Sequence, residues 1–65
     1  MIRLTRLNGS VFFLNSELIE TLESTPDTII TTTNGKKLVV TETIEETIEK
    51  VIQYKRKILL ISSVD

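Results

Sequence analysis

Thr28-Ile29-Ile30-Thr31-Thr32-Thr33-Asn34-Gly35-Lys36-Lys37-Leu38-Val39-Val40-Thr41 is the stretch that decides the fold. Its first six residues are all β-branched, the side chains that fit a pleated surface best. Asn34-Gly35 follows, the strongest short-range hairpin signal, because a type I′ turn asks for positive φ at both central residues. Lys36 to Thr41 then returns as a second strand, with Leu38 and Val40 on one face and Lys37 and Val39 on the other.

Toward the N-terminus, Thr25-Pro26-Asp27 reads as a turn, since proline pre-sets φ and Asp bonds its own backbone. The preceding residues, 17–24, admit two readings. Leu18, Ile19 and Leu22 suit one helical turn capped by Ser16, whereas Ile19 to Ser24 also alternates as a third strand. The shortness of the segment and the tight turn after it favour the strand. Asn15-Ser16 breaks the pattern before it. Ser10 to Leu14 is apolar on both faces through Val11, Phe12, Phe13 and Leu14, which predicts cover on both sides. Phe12 and Phe13 point opposite ways in a strand, so one belongs to the core and the other is a candidate interface anchor. Asn8-Gly9 is a second hairpin signal, and Ile2 to Leu7 supplies the first strand, with Ile2 and Leu4 opposite Arg3 and Thr5.

Toward the C-terminus, Thr43-Ile44-Glu45-Glu46 fits a capping box, in which a Thr hydroxyl and a Glu carboxylate satisfy each other's backbone N–H groups. Ile44, Ile48, Val51 and Ile52 form a helical stripe, with Ile58 two turns on. Glu45, Glu46 and Glu49 near the start, and Lys50, Lys55, Arg56 and Lys57 near the end, complement the helix dipole. A Glu46–Lys50 pair is expected within the helix. The helix is predicted to end between Tyr54 and Lys57, and Ile58-Leu59-Leu60-Ile61 is too apolar for a free end, whether as helix or edge strand. The fold class is thus α+β: a small bent antiparallel sheet of four or five strands over residues 1–41, a C-terminal amphipathic helix over 43–57, and an apolar tail over 58–65, in a single domain. The helix is expected to pack on the sheet through Ile44, Ile48, Val51 and Ile52, so truncating Ile48 to Ala is expected to cost about 2–5 kcal/mol.

A chain of 65 residues buries little core, and domains this small usually need a staple. The chain has no Cys and no His, which removes disulfides, Cys/His zinc sites and thiolate catalysis. Association with itself or with a larger partner is the remaining staple, so a homo-oligomer is expected. Net charge is −1, so nothing global draws the chain to nucleic acid or anionic lipid. No apolar run approaches the ~18 residues of a membrane-spanning helix. Met1-Ile2-Arg3-Leu4 leads into strand-like sequence without the apolar core of a signal peptide, so the cytoplasm is the expected location.

Catalytic and metal-binding patterns are absent too. Glu45-Glu46 belongs to a helix start, and Glu20 and Glu23 read as solvated surface. Both glycines sit in turns, which leaves no phosphate loop. No catalytic, cofactor or metal residue is assigned, and no small-molecule substrate is expected. The candidate interaction surface comprises Arg3, Arg6, Lys36 and Lys37, the aromatic Phe12, and Ile58, Leu59, Leu60 and Ile61. The four basic residues also support an alternative as a small nucleic-acid-binding regulator, although only three aromatics are available for base stacking.

Leu4-Thr5-Arg6-Leu7-Asn8-Gly9, Leu14-Asn15, Ile19-Glu20, Pro26-Asp27-Thr28, Asn34-Gly35-Lys36-Lys37 with Val39-Val40, Glu42, Ile44-Glu45-Glu46, Ile48 and Tyr54-Lys55 together resemble the FlbD-type family of flagellar proteins. Thr31 and Leu38 depart from it, standing where a larger apolar residue and an aromatic are expected. The resemblance implies a non-enzymatic cytoplasmic accessory of bacterial flagellar and swarming motility. It implies support of motor power through protein partners such as the stator units, and no catalytic or ligand-binding residues.

Overall fold

The computed structural model describes residues 1–64, with side chains placed through Leu59. Five strands precede one helix: β1 Ile2–Thr5, β2 Val11–Leu14, β3 Ile19–Ser24, β4 Thr28–Thr32, β5 Lys37–Val40 and α1 Ile44–Val64. The class is α+β, but the strands form two antiparallel sheets, β1–β2 and β3–β4–β5, rather than one bent sheet. The division has a local cause. Asn15 accepts the Glu17 N–H and caps a 3₁₀ turn at Ser16–Leu18, which redirects the chain before β2 can pair with β3. The sheets meet instead at an isolated Arg6–Val40 bridge and at a Thr41 N–H donated to the Thr5 carbonyl at 2.9 Å. Residues 17–24 therefore combine both readings, a short helical turn followed by a strand.

Both Asn-Gly hairpins form, yet neither is type I′. Among the described residues none other than glycine has positive φ, while Gly9 and Gly35 stand at 90° and 83°. Gly9 donates to Arg6 O and Gly35 to Thr32 O, at 2.9 and 2.8 Å. Arg6 N and Thr32 N each close the loop onto a carbonyl four residues on, at 2.8 Å. This is the three-residue hairpin in which only glycine takes the left-handed position. Each Asn stays right-handed, and its Oδ1 accepts the N–H two residues later, from Ser10 and Lys36 respectively.

The core is Ile2, Leu4, Leu14, Ile30 and Val40, with Phe12, Ile19, Leu22, Leu38, Val51 and Tyr54 packed around it. A register shift between Ile19 and Thr21 lets Ile19 and Leu22, three residues apart, both approach that core.

The capping box of α1 forms as expected: Glu46 N donates to Thr43 Oγ1 at 3.0 Å and Thr43 N to Glu46 Oε1 at 2.9 Å. The buried face differs from the expected stripe. Thr47 is fully buried and Val51 and Tyr54 pack on the core, whereas Ile48 and Ile52 are 45% and 39% exposed. A short Thr side chain, its hydroxyl donating to the Thr43 carbonyl at 2.9 Å, lets the helix lie close to the sheets and turns the larger isoleucines outward. Ile48 is therefore not a core residue. The helix also continues past Lys57 to Val64, because no Gly or Pro follows Tyr54 to end it. The Glu46–Lys50 pair does not form, since the Glu46 carboxylate caps Thr43. Among the described residues the ion pair within 4 Å joins Lys55 Nζ to Glu17 Oε1 at 3.8 Å.

Candidate functional site

The two hairpin turns and β2 bring Arg6, Phe12, Lys36 and Lys37 together. Arg6 follows β1, and its guanidinium carbon lies 4.2 Å from the centre of the Phe12 ring. At that distance the cation is held by the aromatic face. The pair forms a ridge between two hollows. One, of about 370 Å³, has an apolar floor of Phe12, Leu14, Leu18 and Leu38, with Arg6 and Lys36 at its rim. The other, of about 390 Å³, lies between Leu7, Phe12, Leu38 and Val39, with Arg6 and Lys37 beside it. Adjacent residues at the start of a strand point to opposite sides, so Lys36 serves one hollow and Lys37 the other.

The β4–β5 turn fixes this rim. Thr32 Oγ1 donates to Asn34 Oδ1, and Lys36 N reaches the same oxygen at 3.3 Å. The Lys36 carbonyl accepts from Thr32 N at 2.8 Å and from Thr32 Oγ1 at 3.2 Å. Among the described residues no carboxylate lines either hollow. The arrangement thus offers three cations over apolar ground, which suits a ligand carrying carboxylates beside apolar side chains.

The remaining candidate residues lie elsewhere. Arg3 pairs across the ladder with Phe13 and borders a separate hollow with Lys50, Tyr54 and Lys57. Phe12, placed on the interaction surface by sequence, packs against the core with its ring under Arg6, and the outward aromatic is Phe13 at 64% exposure. Ile58 and Leu59 are exposed on the helix, and the side chains of Leu60 and Ile61 lie outside the described residues. Sequence reasoning missed Leu14, Leu18 and Leu38 as the floor. The alternation of β5 marks Leu38, whereas Leu18 is placed only by the 3₁₀ turn.

At the joint between sheets and helix, Thr5 N donates to Glu42 Oε1 at 3.0 Å. Partial burial pushes the Glu42 carboxyl up, but the Thr5 hydrogen bonds, with help from the Lys50 charge, outweigh it and hold the group below its ordinary value. Among the described residues no three His, Cys, Asp or Glu side chains gather where a metal could bind, and no helix is long and apolar enough to cross a membrane.

No curated protein and no solved structure matches this chain. A family model described as "FlbD: Flagellar and Swarming motility proteins" matches residues 1–59. That match spans both sheets, both basic hairpin turns and most of α1, and the chain belongs to the FlbD family of flagellar and swarming motility proteins.

Proposed function

We propose that this protein is a non-enzymatic, cytoplasmic accessory of bacterial flagellar and swarming motility that acts by binding other proteins, including copies of itself, and supports motor power at the stator units. The observation that carries the reading is the ridge of Arg6 on Phe12, flanked by Lys36 and Lys37 over an apolar floor that no carboxylate lines among the described residues. The occupant that fits is an acidic, apolar-anchored segment of a motor protein, because its charge is opposite and its apolar residues find Phe12, Leu18 and Leu38.

Phe12 lies beneath a cation and against the core, so the basic ridge offers no open aromatic face for bases, and the exposed Phe13 points to the other side of β2. That weighs against nucleic acid. The test is a photo-crosslinker at Thr33 in a motile bacterium, combined with Lys36→Glu and Lys37→Glu. The expected result is capture of a stator or rotor component that the substitutions abolish together with swarming, at unchanged melting temperature. Full swarming by the doubly substituted protein refutes the reading. DNA binding that falls steeply with salt and disappears with the same substitutions replaces it with the nucleic-acid alternative.

A further inference from the structure

The helix carries a wider apolar arc than the two sheets cover. Thr47, Val51 and Tyr54 face the core, while Ile48, Ile52 and Leu59 stand 45%, 39% and 68% exposed. Ile48, Ile52, Lys55 and Leu59 follow one another at spacings of four, three and four, the period of a seam between two helices. Beside the upper half of this seam lies a groove of about 240 Å³ between β3 and α1, lined by Ser16, Ile19, Leu22, Ile48, Val51 and Ile52. Past Tyr54 the helix runs ten more residues to Val64, roughly 15 Å of rise.

We propose that the groove and seam are occupied by the helix of a second copy of this chain, running antiparallel, with Leu59 of each copy seated beside Ile48 of the other. This inference rests on the self-association within the reading above and gives it a face and a direction. Setting Leu59 against Ile48 also sets Ile52 against Lys55, so the whole seam is used twice in a two-fold pair. The apolar far half of each helix then lies alongside the near half of its twin, the half that carries the groove. Lys55 is compatible with this position. Its ammonium swings to Glu17 at 3.8 Å, which leaves its methylene stem on the seam.

Charge selects the direction. On the flank of the seam away from the sheets stand Glu49 in the near half and Arg56 in the far half, by their helical positions. Antiparallel pairing brings Glu49 of each copy to Arg56 of the other, whereas in parallel pairing these two flanks lie on opposite sides of the pair, facing Ile44 and Val51, and neither charge meets its opposite. Glu49 also accepts from Gln53 Nε2 at 2.9 Å, which holds its carboxylate on that flank.

Sedimentation equilibrium of the full chain tests this. A mass of twice 7.4 kDa is expected. Leu59→Asp, at an exposed position, leaves the circular dichroism unchanged and abolishes the dimer. Glu49→Lys and Arg56→Glu each weaken dimerisation about tenfold, through two symmetric pairs turned repulsive. The combined variant recovers the parent affinity, although both changes oppose the helix dipole. A parent chain that stays monomeric at millimolar concentration overturns the inference, as does a dimer indifferent to Leu59→Asp or a combined variant weaker than either single one. A monomer that still captures a motor protein through Lys36 and Lys37 removes this inference alone. A seam needed only for binding a different protein also overturns it.

Discussion

Replacing Ile48 by Ala and, separately, Ile30 by Ala distinguishes the observed helix rotation from the one that apolar spacing alone predicts. Ile30 is fully buried on the central strand of the larger sheet, paired with Leu22 on one side and Leu38 on the other. Its truncation removes apolar atoms and leaves a cavity, at a cost of about 3–5 kcal/mol. Ile48 is 45% exposed. Roughly half of the three carbons lost were buried, at about 0.8 kcal/mol each, and water fills the space left, so the cost is about 1 kcal/mol. A domain of this length has roughly 3–10 kcal/mol in all, at about 0.05–0.15 kcal/mol per residue. Ile30→Ala is therefore expected to unfold much of the population, and Ile48→Ala to leave the chain folded. Urea denaturation followed by circular dichroism reads both, in a Leu59→Asp background so that self-association adds nothing. An Ile48→Ala midpoint as low as that of Ile30→Ala, at equal slope, refutes the rotation that places Thr47 inward.

Gly35→Ala costs about 1–2 kcal/mol of stability, because φ is 83° there and no atom lies close enough to clash, so the penalty is that of the backbone alone; a melting temperature equal to the parent's counts against that turn geometry. Glu42 binds its proton more weakly in the folded chain than its ordinary 4.5. Its stabilisation is thus fully present above that value and is lost as pH falls through the lower folded one. Glu42→Gln flattens that acid limb of the melting-temperature profile, and an unchanged limb excludes the Thr5 contact. Ser16 Oγ is buried with no hydrogen-bond partner among the described residues, so Ser16→Ala stabilises by about 1 kcal/mol, and a measured loss in thermal unfolding refutes that.

Local chemistry was legible and relative orientation was not. The Thr28–Thr32 strand, both Asn-Gly hairpins and the Thr43–Glu46 capping box are decided within a few residues, and each stands where the sequence puts it. The turn subtype was missed because Asn-Gly serves both hairpin kinds, and the flanking ladder selects between them. The split into two sheets depends on a three-residue 3₁₀ turn held by Asn15, too short to leave a periodic signal. The helix face was misread because Thr47 counts as polar in any apolar stripe, although its hydroxyl is satisfied by its own helix and its small volume favours close packing. For the site, the clustering of Arg6 with Lys36 and Lys37 follows from the Arg6–Val40 bridge, a long-range pairing that no local pattern encodes.

The observed rotation of the helix leaves much apolar surface outside. Ile48, Ile52, Ile58 and Leu59 are as apolar as anything in the core, yet the sheets cover Thr47, Val51 and Tyr54 instead. A helix needing only to close this small core has no use for a second apolar edge, and it has no use for the ten residues beyond Tyr54 either. Exposed apolar side chains scattered singly need no explanation, but a seam at heptad spacing beside a groove does. The basic hollows are built from the hairpin turns and the seam from α1 and β3, so the two surfaces share no lining residue and can be filled together. A protein with one face for its own copy and another for an acidic partner presents two binding sites per assembly. Two linked sites hold a partner array far more tightly than either alone, provided the geometry lets both engage. Under the proposed function, that is how a domain with a small core acts on a large motor.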